Sequence, residues 1–109
     1  MDINEVAMGV IINACNGRDK IDKAFDAMGQ LDFDAARALL EEADKDLLQA
    51  HNAQTETIQA QAAGENTEYS LLFTHAQDTL MTITSEHRIA KNLLNVFEAM
   101  SAQIETLRA

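Results

Sequence analysis

The sequence of 109 residues contains no proline and no tryptophan, a single cysteine and only four glycines. Without proline and with little glycine, long helices meet few residues that would break them. The cysteine, Cys15, cannot form a disulfide within the chain, and we interpret it as a small core side chain. Aromatic residues make up 5% of the chain, too few for a surface that stacks nucleic-acid bases.

Positive charge is also scarce, because 18 acidic residues face 8 basic ones and give a formal net charge of −10. Such a chain repels nucleic acids and anionic membranes. No apolar run approaches the roughly 20 residues of a membrane span, and the N-terminus lacks the basic region of a signal peptide. We therefore expect one cytosolic domain over residues 1–109, with no nucleic-acid partner and no membrane insertion.

Apolar side chains recur at alternating steps of three and four, which is typical of amphipathic helices. The predicted helices span about residues 4–28, 33–62 and 70–107. Gly29 and Asp32 mark the first turn, Gly64 ends the second helix and Ser70 is the predicted N-cap of the third. Because the connections are short, we predict an all-α fold, an antiparallel up-down-up three-helix bundle that folds back near Asn66.

The third predicted helix has two distinct faces. Its apolar seam consists of Phe73, Ala76, Leu80, Ile83, His87, Ala90, Leu94, Phe97, Ser101 and Ile104. We interpret His87, within this seam, as a hydrogen-bonded and inert core residue. The adjoining flank is polar at His75 and Asp78 and becomes apolar further on, which is typical of a helix that packs against a second subunit. We therefore expect His75 and Asp78 at or near a subunit interface.

The chemistry that best suits His75 is phosphoryl transfer. An unperturbed imidazole is largely uncharged at neutral pH, so one ring nitrogen has a lone pair that can attack phosphorus. The nearby helix N-terminus favours a bound anion such as phosphate. Spacing alone leaves open a second interpretation, in which His75 is a surface or capping residue.

Asp78 and the polar section of the second helix are the other candidates. A carboxylate at an interface is unfavourable unless it is paired or binds a metal, and oxygen ligands suit Mg²⁺; a solvated aspartate is the alternative. Gln54 is as far from the predicted bend as Asp78, so we expect both at one height in the bundle. His51, beside Gln54, is a candidate for a hydrogen bond that tunes the site.

Three segments resemble a known family. Residues 74–82, THAQDTLMT, resemble the signature of the IIA components of the lactose/cellobiose phosphotransferase system. Residues 51–55, HNAQT, resemble the second motif of that family, and residues 8–13, MGVIIN, resemble its opening helix. Gly64-Glu65 and Tyr69-Ser70-Leu71 also match its inter-helix loop, so the resemblance extends in order over nearly the whole chain.

The resemblance implies a homotrimer of three-helix bundles that carries phosphate. His75 matches the histidine that accepts phosphate from the phosphocarrier protein HPr and transfers it to a cysteine of the IIB component. Asp78 matches the aspartate that meets its symmetry mates around a metal ion, which implies one Mg²⁺ per trimer. The implied process is uptake and phosphorylation of a β-linked disaccharide; cellobiose, chitobiose and lactose all stay open because IIA does not contact the sugar.

One position departs from the family pattern. Many members have a second histidine where this chain has Thr79, which lies one turn after His75 and is expected to donate a hydrogen bond to the phosphate. Other expected neighbours of the reacting groups are Gln54, Thr82 and His51.

Two other hypotheses belong to different functional classes. A two-component histidine phosphotransfer domain is also a helical bundle with one active histidine, but usually has a lysine where this chain has Asp78. A non-enzymatic helical scaffold predicts that replacing His75 has no effect.

Overall fold

The computed structural model describes residues 2–65 and 68–109 of the protein. It contains three helices, α1 (Ile3–Gly29), α2 (Phe33–Ala62) and α3 (Leu71–Arg108). The predicted all-α three-helix bundle is confirmed, and each helix end agrees with the prediction to within one residue. The predicted bend at Asn66 lies outside the described residues. Within the described ranges, no helix has the length and apolar character that a membrane span requires.

Inter-helix contacts define the direction of each helix. Asn4 contacts Ser70, and further along both helices Arg18 of α1 pairs with Glu86 of α3, so α1 and α3 run parallel with aligned N-termini. In α2, Leu40 contacts His87 while the earlier Arg37 pairs with Glu98. Along these contacts the residue numbers fall in α2 while they rise in α3, so the two helices are antiparallel.

Side-chain caps begin all three helices. Each capping oxygen accepts a backbone N–H within the first turn, as expected for Asp and Ser at this position. The caps are Asp2 bonded to Asn4, Asp32 bonded to Ala35, and Ser70 bonded to Phe73. The first turn differs in one detail from the prediction: Gly29 is still helical, and Leu31 takes the left-handed conformation at φ 62°. The backbone N–H of Asp32 donates to the carbonyl of Ala27 and closes this turn.

The core coincides with the predicted seams over most of their length. The buried residues of α1 are Ile3, Ala7, Val10, Ala14, Gly17, Ile21, Ala24 and Met28. Alanine occupies many fully buried positions on all three helices, and such small side chains allow helix backbones to approach closely. At Gly17, the Cβ of any larger residue would lie only 3.2 Å from Leu47 Cδ2 and 3.4 Å from the carbonyl oxygen of Ala43.

The predicted seam of α3 is buried only as far as Leu94. Phe97 and Ile104 are 38% and 53% exposed, so the end of the predicted seam is not buried within this bundle. The reason is length: α3 has 38 residues and α1 has 27. Because their starts are aligned, α3 continues about 16 Å past the end of α1 at 1.5 Å per residue, where its seam has less to pack against.

Polar contacts supplement the apolar core. Lys20 Nζ donates to Asp46 Oδ2 at 2.6 Å and joins α1 to α2. This hydrogen bond raises the pKa of Lys20 above its usual value. His87 is 6% exposed, and its Nε2 is 2.8 Å from the carbonyl oxygen of Leu40. The interpretation of His87 as a hydrogen-bonded core residue is therefore confirmed.

We predict that Gly17→Leu destabilises the bundle, because the new side chain collides with Leu47 and the α2 backbone. Overpacking of this kind lowers the free energy of unfolding by about 1–3 kcal/mol. Urea unfolding followed by circular dichroism measures the loss. Gly29→Ala is the control, since its Cβ would meet nothing within 4 Å; equal destabilisation by both variants would contradict close packing at Gly17.

We also predict that His87→Ala lowers the free energy of unfolding by roughly 2–4 kcal/mol, because it creates a cavity and removes a buried hydrogen bond. The matched control is His51→Ala, where the histidine is exposed and a change within about 0.5 kcal/mol is expected. Thermal unfolding of the two variants beside the unmodified protein is the measurement. Similar melting temperatures for both would show that His87 adds nothing to the core.

Candidate functional site

His75 and Asp78 lie in a shallow open groove of about 410 Å³ between α1 and α3. The side chains that line it are Ile11, Cys15, Arg18, His75, Asp78, Thr79 and Thr82. Both His75 and Asp78 are exposed. The structure therefore brings together the two residues that the sequence singled out and leaves both accessible to another molecule.

The helical repeat explains why His75 is accessible. Its neighbours Phe73 and Ala76 belong to the buried seam of α3, and a residue next to a seam position lies about 100° away around the helix axis. His75 is in the second turn of α3, and side chains on a helix lean toward its N-terminus. The imidazole is thus presented near the positive end of the α3 dipole, which favours an incoming anion.

The hydroxyl groups of both threonines in the groove donate hydrogen bonds to backbone carbonyls of α3. Thr79 Oγ1 donates to the carbonyl of His75 and Thr82 Oγ1 donates to the carbonyl of Asp78, both at 2.9 Å. The sequence led us to expect that Thr79 donates to a phosphate. In this conformation its proton is already engaged, so such a bond requires the hydroxyl to rotate away from the backbone.

His51 and Gln54 do not line the groove. Both lie on α2, His51 exposed and Gln54 partly buried, whereas the groove walls come from α1 and α3. An equal distance from a bend predicts the height of a residue in the bundle, but not the direction in which its side chain points. Within one protomer, these two candidates are therefore separate from His75.

Three α1 residues line the groove, Ile11, Cys15 and Arg18, and none of them was predicted to lie there. Cys15 is exposed, so its interpretation as a core side chain is wrong. Arg18 also lines the groove, and its Nη2 is 3.6 Å from Glu86 Oε1 of α3. Ile11, Cys15 and Arg18 follow one another at steps of four and three, which indicates a common face of α1. That spacing is visible in the sequence, but the direction in which the face points is not.

Asp78 is the groove residue with the oxygen chemistry for a hard cation such as Mg²⁺. Among residues 2–65 and 68–109 of one protomer, no three His, Cys, Asp or Glu side chains are grouped so that they could hold a metal ion. Any metal at Asp78 would therefore need ligands from other copies of the chain or from water. An exposed carboxylate fits that requirement, because it is free to face a second and a third copy.

The groove contains groups that can take part in covalent group transfer. It offers an accessible imidazole beside a carboxylate, and its two hydroxyl groups are bonded to the backbone. An imidazole nitrogen can form a labile bond to phosphorus and release it again, which is what a carrier requires.

Comparisons with known proteins agree on one family. The family of lactose/cellobiose-specific IIA subunits of the PTS system matches residues 5–98. The lichenan-specific phosphotransferase enzyme IIA component of Bacillus subtilis is 34% identical over 102 residues, which cover 94% of this chain and 93% of that protein.

Solved structures agree as well. The cellobiose-specific enzyme IIA from Bacillus anthracis matches with a TM-score of 0.86 at 29% identity, over 94% of each chain. The solution structures of the IIA(chitobiose)–HPr complex of Escherichia coli match with a TM-score of 0.80 at 32% identity, over 93% of this chain and 98% of that one. The chain therefore belongs to the family of lactose/cellobiose-specific IIA subunits of the phosphotransferase system.

Proposed function

We propose that this protein is a cytosolic phosphoryl carrier that accepts phosphate from phospho-HPr on His75 and transfers it to a cysteine of a IIB component. The process it serves is uptake and phosphorylation of a β-linked disaccharide of the cellobiose, chitobiose or lactose type. The observation that carries the proposal is the exposed His75 in the groove between α1 and α3. Family membership and the HPr complex of a structural relative support HPr as the donor.

His75 is the best candidate among the three histidines of the chain. His87 is buried and its Nε2 contacts the carbonyl of Leu40, so a phosphoryl donor cannot reach it without unfolding. His51 is exposed, but it lies outside the groove. Of these histidines, His75 combines exposure with a concave surface that a partner protein can cover.

Each transfer exchanges one bond to phosphorus for another. A ring nitrogen of neutral His75 forms a bond to phosphorus as the nitrogen–phosphorus bond of phospho-HPr breaks, and the bonding electrons return to the HPr imidazole. In the second step, the thiolate of the IIB cysteine forms a sulfur–phosphorus bond while the bond to His75 breaks. The phosphoryl group moves without an oxidant, and the His75 ring is restored as a neutral imidazole.

The surroundings of His75 contribute orientation and electrostatics. The positive end of the α3 dipole acts on the charge of the transferred group. A docked partner would exclude water from the groove, which strengthens these interactions and limits loss of the phosphate to hydrolysis. The Thr79 and Thr82 hydroxyls donate to the backbone carbonyls of His75 and Asp78, so in this conformation neither donates to a group bound at His75.

We propose further that the protein works as a homotrimer in which three copies of Asp78 share one Mg²⁺. Asp78 lies on a flank of α3 that also carries exposed apolar residues such as Ile89, Val96 and Met100. Burial of that flank between copies would remove apolar surface from water and bring the carboxylates together. The ion would neutralise three like charges whose mutual repulsion otherwise opposes assembly.

We predict that His75→Ala abolishes phosphorylation. The unmodified protein, incubated with phosphoenolpyruvate, the general phosphotransferase enzyme and HPr, should acquire an acid-labile label, and His75→Ala should acquire none because the attacking nitrogen is absent. His51→Ala is the control and should be labelled normally. If His75→Ala acquired the acid-labile label, another residue would be the phosphate carrier and the proposal would be wrong.

We predict that Asp78→Leu removes the metal but preserves the trimer, since three apolar side chains repel each other less than three carboxylates. Metal content after dialysis and sedimentation equilibrium are the two measurements, and neither depends on phosphoryl transfer. Asp22→Leu, at an exposed position of α1, is the control and should retain the metal. A trimeric Asp78→Leu protein that still binds Mg²⁺ would rule out Asp78 as its ligand.

A further inference from the structure

Ser70 makes four hydrogen bonds immediately before the helical turn that presents His75. Its hydroxyl donates to Asn4 Oδ1 at 2.7 Å and accepts the backbone N–H of Phe73 at 3.0 Å. Its carbonyl accepts the backbone N–H of Thr74 at 3.2 Å and the Thr74 hydroxyl at 3.3 Å. Ser70 is 9% exposed; its bond from the Phe73 N–H is buried, and its bond to Asn4 is partly buried.

The hydroxyl of Ser70 therefore has two structural roles. As an N-cap, it holds the first turn of α3 in helical form. Through Asn4, it also ties that turn to the first turn of α1, which is itself capped by Asp2. An N-cap on its own fixes one helix, whereas the additional bond to Asn4 fixes α3 relative to α1.

The position of this tie matters because the groove lies between α1 and α3. The Asn4–Ser70 bond joins the two helices at the His75 end, and the Arg18–Glu86 ion pair joins them further along. The second contact is 3.6 Å long and both side chains are 42% exposed, so it constrains the helices weakly. Core packing sets the distance between α1 and α3, and the bond from Ser70 to Asn4 adds a directional constraint on the first turn of α3, next to His75.

We propose that Ser70 is a positioning residue for phosphoryl transfer, which acts by holding the His75 turn of α3 at a fixed place against α1. It does not touch the phosphoryl group. In-line transfer needs the attacking nitrogen at a defined distance and angle, and a displacement of about 1 Å can slow a reaction by about 100-fold. This inference rests on the proposed carrier function of His75 and adds a residue to it.

The experiment compares Ser70→Ala with a matched loss of another N-cap. Asp32→Ala removes the cap of α2, where Asp32 accepts the Ala35 N–H, at the opposite end of the bundle from His75. Both variants lose one capping bond; Ser70→Ala also loses the bond to Asn4, so its melting temperature is expected to fall further. Single-turnover rates of labelling are measured well below the melting temperatures and over a range of phospho-HPr concentrations. The maximal transfer rate is taken as kcat, and the phospho-HPr concentration that gives half of it is taken as KM.

We expect Ser70→Ala to lower kcat by about tenfold with little change in KM, and Asp32→Ala to change neither. Ser70→Thr keeps the hydroxyl and should restore kcat. Asn4→Ala keeps the cap, removes only the tie to α1 and should lower kcat by an intermediate factor. If Ser70→Ala does not fold, the kcat of Asn4→Ala tests the positioning role instead.

Equal kcat values for Ser70→Ala and Asp32→Ala would overturn the positioning role, as would an unchanged kcat in Asn4→Ala. The imidazole signals in nitrogen NMR spectra give a second readout: the variants should shift those of His75 and leave those of His87 in place. Unchanged His75 signals would also contradict the inference. Failure of the proposed function looks different, because the unmodified protein and Asp32→Ala would then take up no label at all.

Discussion

The parallel, side-by-side placement of α1 and α3 is the constraint on which the groove depends. Alanine at the core positions allows the helices to approach closely, and burial of the larger apolar side chains between them supplies most of the stability. Polar contacts then fix the alignment along the helix axes, at Asn4–Ser70 and at Arg18–Glu86. With both starts aligned, the second turn of α3 faces the exposed side of α1, and the groove forms between them.

The helix α3 places one histidine in the core and another in the open groove. His75 and His87 are twelve residues apart on α3, which places them about 120° apart around the helix axis. That angle takes His87 into the core, where its ring contacts the Leu40 carbonyl, and leaves His75 in an open groove. The same side-chain type therefore acts structurally at one position and is available for chemistry at the other.

The proposed carrier function depends on this separation between core and groove. A carrier must meet two different partners and must expose its phosphorylated group to each in turn, so its reacting residue cannot contribute to the core. The seam of α3 stabilises the bundle without His75, and the groove keeps His75 near the end of a dipole that favours negative charge. Assembly into a trimer would add walls to this groove without changing the fold of each bundle.

The helices and most of the core were predicted correctly because both follow from local rules. Alternating steps of three and four indicated the seams, and Asp and Ser at helix starts indicated the caps. The end of the predicted α3 seam is not buried at Phe97 because burial there depends on how far α1 extends, which is not a property of α3. The prediction for Cys15 failed for a related reason: its face of α1 was assumed to point into the core, and it points into the groove.

Three properties could be read from the order of residues: the presence of three helices, the apolar faces of those helices, and the shared flank of His75 and Asp78 outside the core seam. They follow from spacing along one chain and from the chemistry of each side chain. The folded bundle was needed to show that Arg18 and Cys15 share a groove with His75, that His51 and Gln54 do not, and that the Thr79 hydroxyl bonds the backbone. Such relations depend on the rotation of one helix against another and on side-chain torsions, and both are set by packing across the whole bundle.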